Sequence, residues 1–192
     1  LKHDGGVTAA MFLPDGRRVV TASTDKTARI WSVATGTPDR FVMTHEGAVE
    51  HVALSPDGGR LVTVAAPKTS RLWSLDRRVL LGRPVPHDHI VNVIEFSPDG
   101  KLFFTAINNG DLFLWDGLTG AAVPSGIQHE RPISLARWSP DGRRIVSTSL
   151  DRSVKVWSLV DKEITGRTVW HGPLVNALAF SPDGTHGAFG GV

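Results

Sequence analysis

Short apolar stretches separated by turn residues follow one another along the whole chain. Residues 7–12 are mostly apolar, residues 14–16 read Pro-Asp-Gly, and residues 17–23 carry several β-branched side chains. Residues 27–33 and 40–44 have the composition of two further strands. No segment has the 3.6-residue period of an amphipathic helix. The pattern predicts an all-β fold built from groups of four short strands, named a to d in chain order.

Three marker residues show that this group repeats. A His, a Pro-Asp-Gly turn and a Trp return at an interval of 42 residues, and the Trp always falls 28 residues after the His. The markers are His3, His45, His87, His129 and His171, the turns beginning at Pro14, Pro56, Pro98, Pro140 and Pro182, and Trp31, Trp73, Trp115 and Trp157. A period of this length with these markers is typical of one four-stranded propeller blade per repeat. The sequence predicts a partial β-propeller of four-stranded antiparallel blades at 4–44, 46–86, 88–128 and 130–170, with part of a fifth at 172–192.

Composition also predicts the place of each strand in a blade. The d segments contain Gly and Pro, which an edge strand tolerates better than a central one. They are residues 40–44, 82–86, 124–128 and 166–170. The a segments have the longest apolar runs, which predicts the innermost place. Trp138 stands where other repeats have Phe or Leu, so it is predicted to lie in the core.

Each full repeat adds a hydroxyl residue ten positions before its Trp and a turn residue six positions before it. The hydroxyl residues are Thr21, Thr63, Thr105 and Ser147, and the turn residues are Asp25, Pro67, Asn109 and Asp151. A hydroxyl, a carboxylate and a His can form a buried hydrogen-bonded chain over the indole ring. Each such bond contributes about 1 kcal/mol net, and a buried group left without a partner costs at least as much.

With these residues, the chain resembles a run of WD40 repeats over essentially its whole length. The resemblance implies a structural tetrad of His, Ser or Thr, Asp and Trp in each blade. It carries over to His3, Thr21, Asp25 and Trp31 in repeat one and to His129, Ser147, Asp151 and Trp157 in repeat four. The Pro-Asp-Gly turns are similar to those of bacterial members of the family.

Two repeats depart from the tetrad of the family. Repeat three has Asn109 in place of the Asp, beside His87, Thr105 and Trp115. Repeat two has Pro67, which cannot accept a side-chain hydrogen bond, so that His45, Thr63 and Trp73 form an incomplete set. The blade of repeat two is therefore predicted to be the loosest of the four.

The same residue types could also form a catalytic or metal-binding site. Ser or Thr, His and Asp are the members of a nucleophilic triad, but a catalytic site is built once, whereas this set recurs beside a Trp. The segment His87-Asp88-His89 is the densest group of possible metal ligands, but His87 belongs to the repeat and no spaced third ligand follows. No phosphate-binding Gly motif is present. The sequence predicts no catalytic residue, no metal and no cofactor.

Charge and composition narrow the range of partners. The chain has 21 Lys and Arg, 19 Asp and Glu and a formal net charge of +2, with the cations spread over the turns. Nucleic-acid binding, which usually needs clustered positive charge, is not predicted. The chain has no cysteine, as in many proteins of a reducing compartment, and no run approaches the roughly 20 apolar residues that span a bilayer. A cytoplasmic location without membrane contact is predicted.

The resemblance also implies where partners dock. In the family, the d-to-a loops and the b-to-c turns lie on one face of the disc, which gives a candidate partner-binding rim. Its residues are Asp4, Glu46, Glu50, Asp88, His89, Asn92, Glu130, Leu150 and Arg152. The alternative is that they are solvated loop residues, since a surface of mixed charge also serves solubility. The predicted function is a non-catalytic scaffold for protein–protein interaction whose partners are other proteins.

Four full repeats and part of a fifth do not close a propeller of the usual size in the family, about seven blades. The chain is therefore predicted to be a segment of a larger protein. Two other functions stay open: a regulatory or sensor propeller attached to a catalytic domain outside this chain, such as a bacterial Ser/Thr protein kinase, or a self-assembling repeat module. Exposed inner faces and strand edges of an open arc predict self-association.

Overall fold

The computed structural model describes residues 2–66, 68–160, 163–170 and 174–191. Within these residues the regular structure is β-strand, and no helix occurs. The chain forms two compact units, Leu1–Asp88 and His89–Val192. The boundary between the units falls within the segment His87-Asp88-His89, where one predicted blade ends and the next begins.

The first unit contains two four-stranded antiparallel sheets whose strands lie in chain order. The first sheet consists of β1 (Val7–Phe12), β2 (Arg18–Ser23), β3 (Thr27–Ser32) and β4 (Pro38–Thr44). The second consists of β5 (Val49–Leu54), β6 (Arg60–Ala65), β7 (Thr69–Ser74) and β8 (Val79–Pro86). Both sheets contribute to one core, in which Val20 and Ile30 of the first pack with Leu61 and Trp73 of the second.

The second unit contains two more four-stranded sheets and one of two strands. Its strands are β9 (Val91–Phe96), β10 (Leu102–Ile107), β11 (Asp111–Asp116), β12 (Ala122–Gln128), β13 (Ile133–Trp138), β14 (Arg144–Ser149), β15 (Ser153–Val160), β16 (Glu163–Trp170), β17 (Val175–Phe180) and β18 (Gly187–Gly191). Phe104, Leu114 and Ile145 belong to its main core, and Trp138 is buried among them as predicted. The predicted fold class, a partial propeller with four full blades and part of a fifth, is confirmed.

The Pro-Asp-Gly segments form tight turns between the a and b strands. In the turn before β6, Asp57 Oδ1 accepts the Ser55 hydroxyl at 2.5 Å and the backbone N–H of Gly59 at 3.0 Å. Gly58 has a φ of 71°, a left-handed conformation that Gly adopts without strain. The hydrogen bond from Ser55 is the main cause that lowers the pKa of Asp57 to about 2. The ionised Asp side chain therefore closes the turn.

Strand d lies at a sheet edge, as predicted, but it begins earlier than its composition indicates. The four d strands begin at Pro38, Val79, Ala122 and Glu163, two to three residues before the predicted starts. In β16 the ladder with β15 is continuous from Ser153↔Trp170 to Val160↔Glu163. Because an edge strand tolerates Gly and Pro, these residues do not mark its start.

Strand b, rather than strand a, is the most buried strand of each sheet. At least four of the six residues are fully buried in each of β2, β6, β10 and β14. Strand b pairs on both sides, with strands a and c, whereas strand a has one paired neighbour in its sheet. Strand β1 shows the difference most clearly, because the side chain of Phe12 is 64% exposed.

Candidate functional site

In repeat one, His3, Thr21, Asp25 and Trp31 are joined by hydrogen bonds. Trp31 Nε1 donates to Thr21 Oγ1 at 2.6 Å, and His3 Nε2 lies 2.6 Å from the same oxygen. His3 Nδ1 lies 2.7 Å from Asp25 Oδ2. Since an ionised carboxylate only accepts, we assign the proton to Nδ1 and let the Thr21 hydroxyl donate to Nε2. The bonds then run without a gap from the indole to the carboxylate.

Asp25 connects this buried chain of bonds to the surface. Its Oδ2 accepts the backbone N–H of Asp4 at 3.2 Å, and its Oδ1 accepts the hydroxyl of Thr27 at 2.6 Å. Burial opposes the charged form, but the hydrogen bonds from Thr27, His3 and Asp4 outweigh it and hold the pKa of Asp25 well below its ordinary value. The carboxylate therefore stays ionised and ties the loop before β1 to the turn before β3.

Repeat four has the same arrangement. Trp157 Nε1 donates to Ser147 Oγ at 2.9 Å, and His129 Nε2 lies 2.7 Å from that oxygen. His129 Nδ1 lies 3.1 Å from Asp151 Oδ2. Burial lowers the pKa of His129, and the neighbouring Asp151 carboxylate opposes this effect in part. The ring is neutral near pH 7, which suits a group that donates to the carboxylate and accepts from the hydroxyl.

Ser147, His129 and Asp151 have the order of a nucleophilic triad but not its access to substrate. The side chain of Ser147 is fully buried, with 0% of the residue exposed. Its oxygen also accepts the Trp157 N–H. A reacting group has no route to this hydroxyl, so the geometry suits support of the blade rather than catalysis.

Repeat two keeps the bond between indole and hydroxyl without the bonds to His. Trp73 Nε1 donates to Thr63 Oγ1 at 2.8 Å. His45 lies edge-on to Trp73 at a centroid distance of 5.7 Å, but no described residue makes a hydrogen bond to either of its ring nitrogens. Burial, assisted by the positive charge of Arg71, lowers the pKa of His45 to about 4. Pro67, to which the sequence attributes the incomplete set, lies outside the described residues.

Repeat three keeps the bond between indole and hydroxyl, and its Asn109 binds a neighbouring residue of the turn. Trp115 Nε1 donates to Thr105 Oγ1 at 2.9 Å. Asn109 Nδ2 donates to the Asp111 carboxylate at 2.7 Å, and Asn109 Oδ1 accepts the backbone N–H of Asp111 at 3.0 Å.

His87 belongs to the first unit, where its Nε2 lies 2.9 Å from the hydroxyl of Ser70 in β7. Ser70 was not predicted, because the other repeats have Ala28, Leu112 and Val154 at its position. Burial lowers the pKa of His87 to about 4, against a smaller opposite effect of Asp88. The neutral ring can therefore accept the Ser70 hydroxyl.

Most of the candidate rim residues are exposed. In the first unit these are Asp4, Glu46, Glu50 and Asp88. In the second unit they are His89, Glu130, Leu150 and Arg152. Asn92 is half-buried, and its side-chain amide lies 3.4 Å from the carbonyl oxygen of Ile133 in the neighbouring sheet of that unit. Asn92 therefore has a structural contact, and the others are accessible.

The b-to-c turns contain an unusual backbone feature that the sequence did not predict. Lys26, Lys68 and Arg152 have φ values of 71°, 57° and 68°, in the left-handed region that residues with a Cβ seldom adopt. Repeat three has Gly110 at the same position, with a φ of 103°. This Gly is the one signal in the sequence for the conformation of the three cationic residues.

Hydrogen bonds hold each of these turns against the loop before strand a. In repeat four, the backbone N–H of Leu150 donates to Pro132 O at 3.0 Å, and that of Glu130 donates to Asp151 at 3.1 Å. In repeat two, the backbone N–H of Ala66 donates to Ala48 O at 2.9 Å. Lys68 Nζ also donates to Asp88 O at 2.6 Å, so this turn contacts the segment after β8 as well.

Two further features bear on the class of site. Among the described residues, no three His, Asp or Glu side chains form a group that could hold a metal ion. In the same part of the chain, no helix has the length and apolar character needed to cross a membrane.

A comparison with protein families agrees with the geometry. The family model described as "WD domain, G-beta repeat" matches residues 1–32, 36–74, 80–116 and 123–158. No curated protein matched the chain. WD40 repeats generally serve as scaffolds for protein interaction and generally have no catalytic activity of their own. The matched segments, the four-stranded sheets and the recurring bond between Trp and hydroxyl together show that this chain belongs to the WD40 repeat family.

Proposed function

We propose that this chain is a non-catalytic interaction scaffold, a WD40 segment of a larger cytoplasmic protein. It binds other proteins through the d-to-a loops and b-to-c turns, by means of the exposed residues described above. The hydrogen-bonded sets beneath these loops hold the contact residues in place. The support comes from the family, from the backbone of the turns and from the residues exposed in repeat four.

The left-handed cations are the observation that carries this proposal. A left-handed conformation costs a residue with a Cβ about 1 kcal/mol or more, whereas Gly adopts it without that cost. Lys26, Lys68 and Arg152 nevertheless occupy it. Backbone strain of this kind is concentrated at functional sites in proteins. The exposed side chains of Lys26 and Arg152 are therefore candidates for an external contact, whereas Lys68 Nζ binds Asp88 O within the chain.

Repeat four has the best-defined contact surface. Leu150 is 43% exposed in an otherwise polar turn, and it stands two residues before Arg152. Glu130 lies beside this turn, through the bond between its backbone and Asp151. An apolar centre with charges of both signs around it matches the usual composition of a protein-binding patch. A partner would bury Leu150 and pair with the two charges.

The proposal is tested by affinity capture with the full chain and two charge reversals in the same blade. Arg152→Glu changes the b-to-c turn, whereas Arg143→Glu changes an exposed cation in the turn before β14, at the other end of that strand. We expect a partner captured by the wild type to be lost with R152E and L150D and kept with R143E. Equal capture by all variants, or equal loss with R152E and R143E, would remove this surface from consideration.

Self-association is a second candidate function, favoured by strand β1. Phe12 and Val7 are 64% and 55% exposed on this strand, whereas Leu54 at the position equivalent to Phe12 packs in the core of its unit. Light scattering after size exclusion tests it. A discrete oligomer that F12S converts to a monomer would support self-assembly, and a monomeric wild type would exclude it.

The regulatory alternative concerns sequence outside this chain. A WD40 segment joined to a catalytic domain, such as a bacterial Ser/Thr protein kinase, predicts that domain in the flanking reading frame. Sequencing the flanking region therefore separates this alternative from a scaffold that acts alone.

A further inference from the structure

An apolar cavity of about 580 Å³ lies in the second unit, between the sheet β9–β12 and the sheet β13–β16. One wall contains Leu114 of β11 and Val123 of β12, which are paired across their strands. The other wall contains Leu159 of β15 and Ile164 of β16, which are also paired. Among the described residues, none that lines the cavity carries a charge. The cavity therefore has the size and the apolar walls of a small-molecule site.

In the first unit, a phenyl ring packs between the two sheets. Phe41 of β4 lies edge-on to Trp73 of the neighbouring sheet, with ring centroids 6.1 Å apart and an interplanar angle of 72°. It packs against the apolar core that contains Ile30 and Leu75. Leu75 is only 6% exposed. The side chain of Phe41 therefore completes the apolar contact between the sheets of this unit.

The second unit has a serine in place of this phenylalanine. Ser125 of β12 stands two repeats after Phe41, and its hydroxyl donates to Leu112 O at 3.0 Å within its own sheet. The burial pattern of β12 places Ser125 on the same face as Val123 and Ile127, which both pack in the core between the sheets. A side chain at position 125 therefore faces the cavity side of its sheet, and the ring that the first unit has there is missing.

The walls of the cavity are apolar at positions that are charged in the first unit. Leu102 and Val123 line the cavity, and repeat one has Arg18 and Asp39 at the equivalent positions. Both Leu102 and Val123 are half-buried. An apolar side chain that faces open space gains free energy when a ligand removes it from water. The exchange of charged for apolar residues therefore favours an apolar occupant.

The two sheets also lie further apart at this end than in the first unit. A Cβ at Gly142, which lines the cavity, would lie 3.5 Å from Pro98 Cδ. The equivalent distance in the first unit, from a Cβ at Gly58 to Pro14 Cδ, is 2.7 Å. Leu159 is half-buried, whereas the equivalent residue of the first unit is buried beside its phenyl ring. The second unit thus has the space that a ring would need.

We propose that this cavity binds one small, uncharged aromatic molecule, which takes the place that the Phe41 side chain has in the first unit. Leu114, Leu159 and Ile164 contact the ring of the ligand. A charged ligand is excluded, because the walls offer no partner for a buried charge. The cavity lies beside the turn before β14, whereas Leu150 follows the other end of that strand. The site is therefore separate from the candidate rim and does not depend on the proposed scaffold function.

Methyl NMR of the full chain, titrated with toluene, tests the site, because toluene is the side chain of Phe as a free molecule. We expect saturable shifts of the methyl signals of Leu114, Leu159 and Ile164. The methyl signals of Ile30 and Leu75 should stay unchanged, because a ring already packs against them in the first unit. Benzoate at the same concentration should shift none of these signals, since its carboxylate would lose its water without a partner. Toluene should also raise the melting temperature, because it binds the folded state.

Three variants complete the test. S125F supplies the ring within the chain and should abolish the response to toluene, whereas the matched control S125A keeps the space and should respond as the wild type does. V123D places a charge on the wall, as in repeat one, and should abolish the response of a chain that remains folded, which decides the matter if S125F does not fold. The proposal is wrong if toluene leaves the wild type unchanged, if it shifts the methyl signals of both units alike, or if S125F responds as S125A does.

Discussion

Trp157 Nε1 donates a hydrogen bond to Ser147 Oγ at 2.9 Å and so joins the paired strands β14 and β15. The same bond between indole and hydroxyl occurs in the other three repeats, at 2.6, 2.8 and 2.9 Å. The repeats differ in what lies beyond the hydroxyl. In repeats one and four a His continues the bonds to an Asp, and in repeat two the His makes none of them. This difference allows the contribution of the His to be measured within one chain.

The substitution His129→Ala should destabilise the protein more than His45→Ala. The first removes the buried bonds to Ser147 and Asp151, each of which contributes about 1 kcal/mol, although Trp157 still donates to Ser147 and Ser153 still donates to Asp151. The second removes a ring whose nitrogens are unpaired, so its cost is limited to packing. Amide hydrogen exchange measures the two effects separately, in β14 and β15 for H129A and in β6 and β7 for H45A. Equal losses of protection would show that the bonds of His129 contribute nothing.

Protonation of Asp25 should make the first unit less stable in acid. Its folded-state pKa lies below the ordinary Asp value of 3.8, so the stabilisation is present above that pH and is lost as the pH falls toward the folded-state pKa. In the wild type, the melting temperature should therefore fall from about pH 4 to about pH 2. D25N has no carboxylate to protonate, so its curve should be flatter over that range. Parallel curves would contradict the hydrogen-bonded role of Asp25.

Ionisation of Glu95 should make the second unit less stable as the pH rises. Burial raises its pKa above 4.5, although Arg137 and the backbone N–H of Trp138 oppose the shift. Stability is therefore full below that pH and declines as the pH rises through the folded-state pKa. E95Q retains an acceptor for Trp138 and removes the charge, so it should be more stable than the wild type near pH 7 and equal to it near pH 4. A constant difference between the two curves would refute this explanation.

Gly110 should tolerate substitution less well than Gly126 in the same sheet. Both have a positive φ, but a Cβ at Gly110 would lie 2.4 Å from His129 O, whereas a Cβ at Gly126 meets nothing within 4 Å. G126A should lose about 1 kcal/mol through the backbone alone, and G110A clearly more through the added clash. Urea unfolding of the two variants measures the difference. Equal losses would mean that the turn moves away from its contact with His129.

The period of 42 residues predicted the sheets because each marker has a structural task that recurs. The Trp and the hydroxyl meet across strands b and c, and Asp57 shows how the Pro-Asp-Gly turn is closed. These contacts join residues of the same repeat, so the spacing within one repeat is enough to predict them.

The features that the sequence did not predict have no residue type that indicates them. Ser70 binds His87 at a position that is apolar in the other repeats, so the period gave no signal for it. The left-handed turns contain Lys or Arg in three repeats, and these residue types do not indicate a positive φ. The boundary between the two units follows from packing of the sheets rather than from any change in composition.

Site-specific photo-cross-linking tests most directly whether repeat four binds a partner through its b-to-c turn. A photo-reactive amino acid is placed at Leu150 in the b-to-c turn or at Leu118 in the loop between β11 and β12. The two residues are 43% and 59% exposed. Leu118 follows the end of its c strand, whereas Leu150 precedes the start of its own, so the labels report on opposite ends of the blades. We predict that the partner cross-links to the chain labelled at Leu150 and not to the chain labelled at Leu118. Cross-linking at Leu118 alone would contradict the proposed surface.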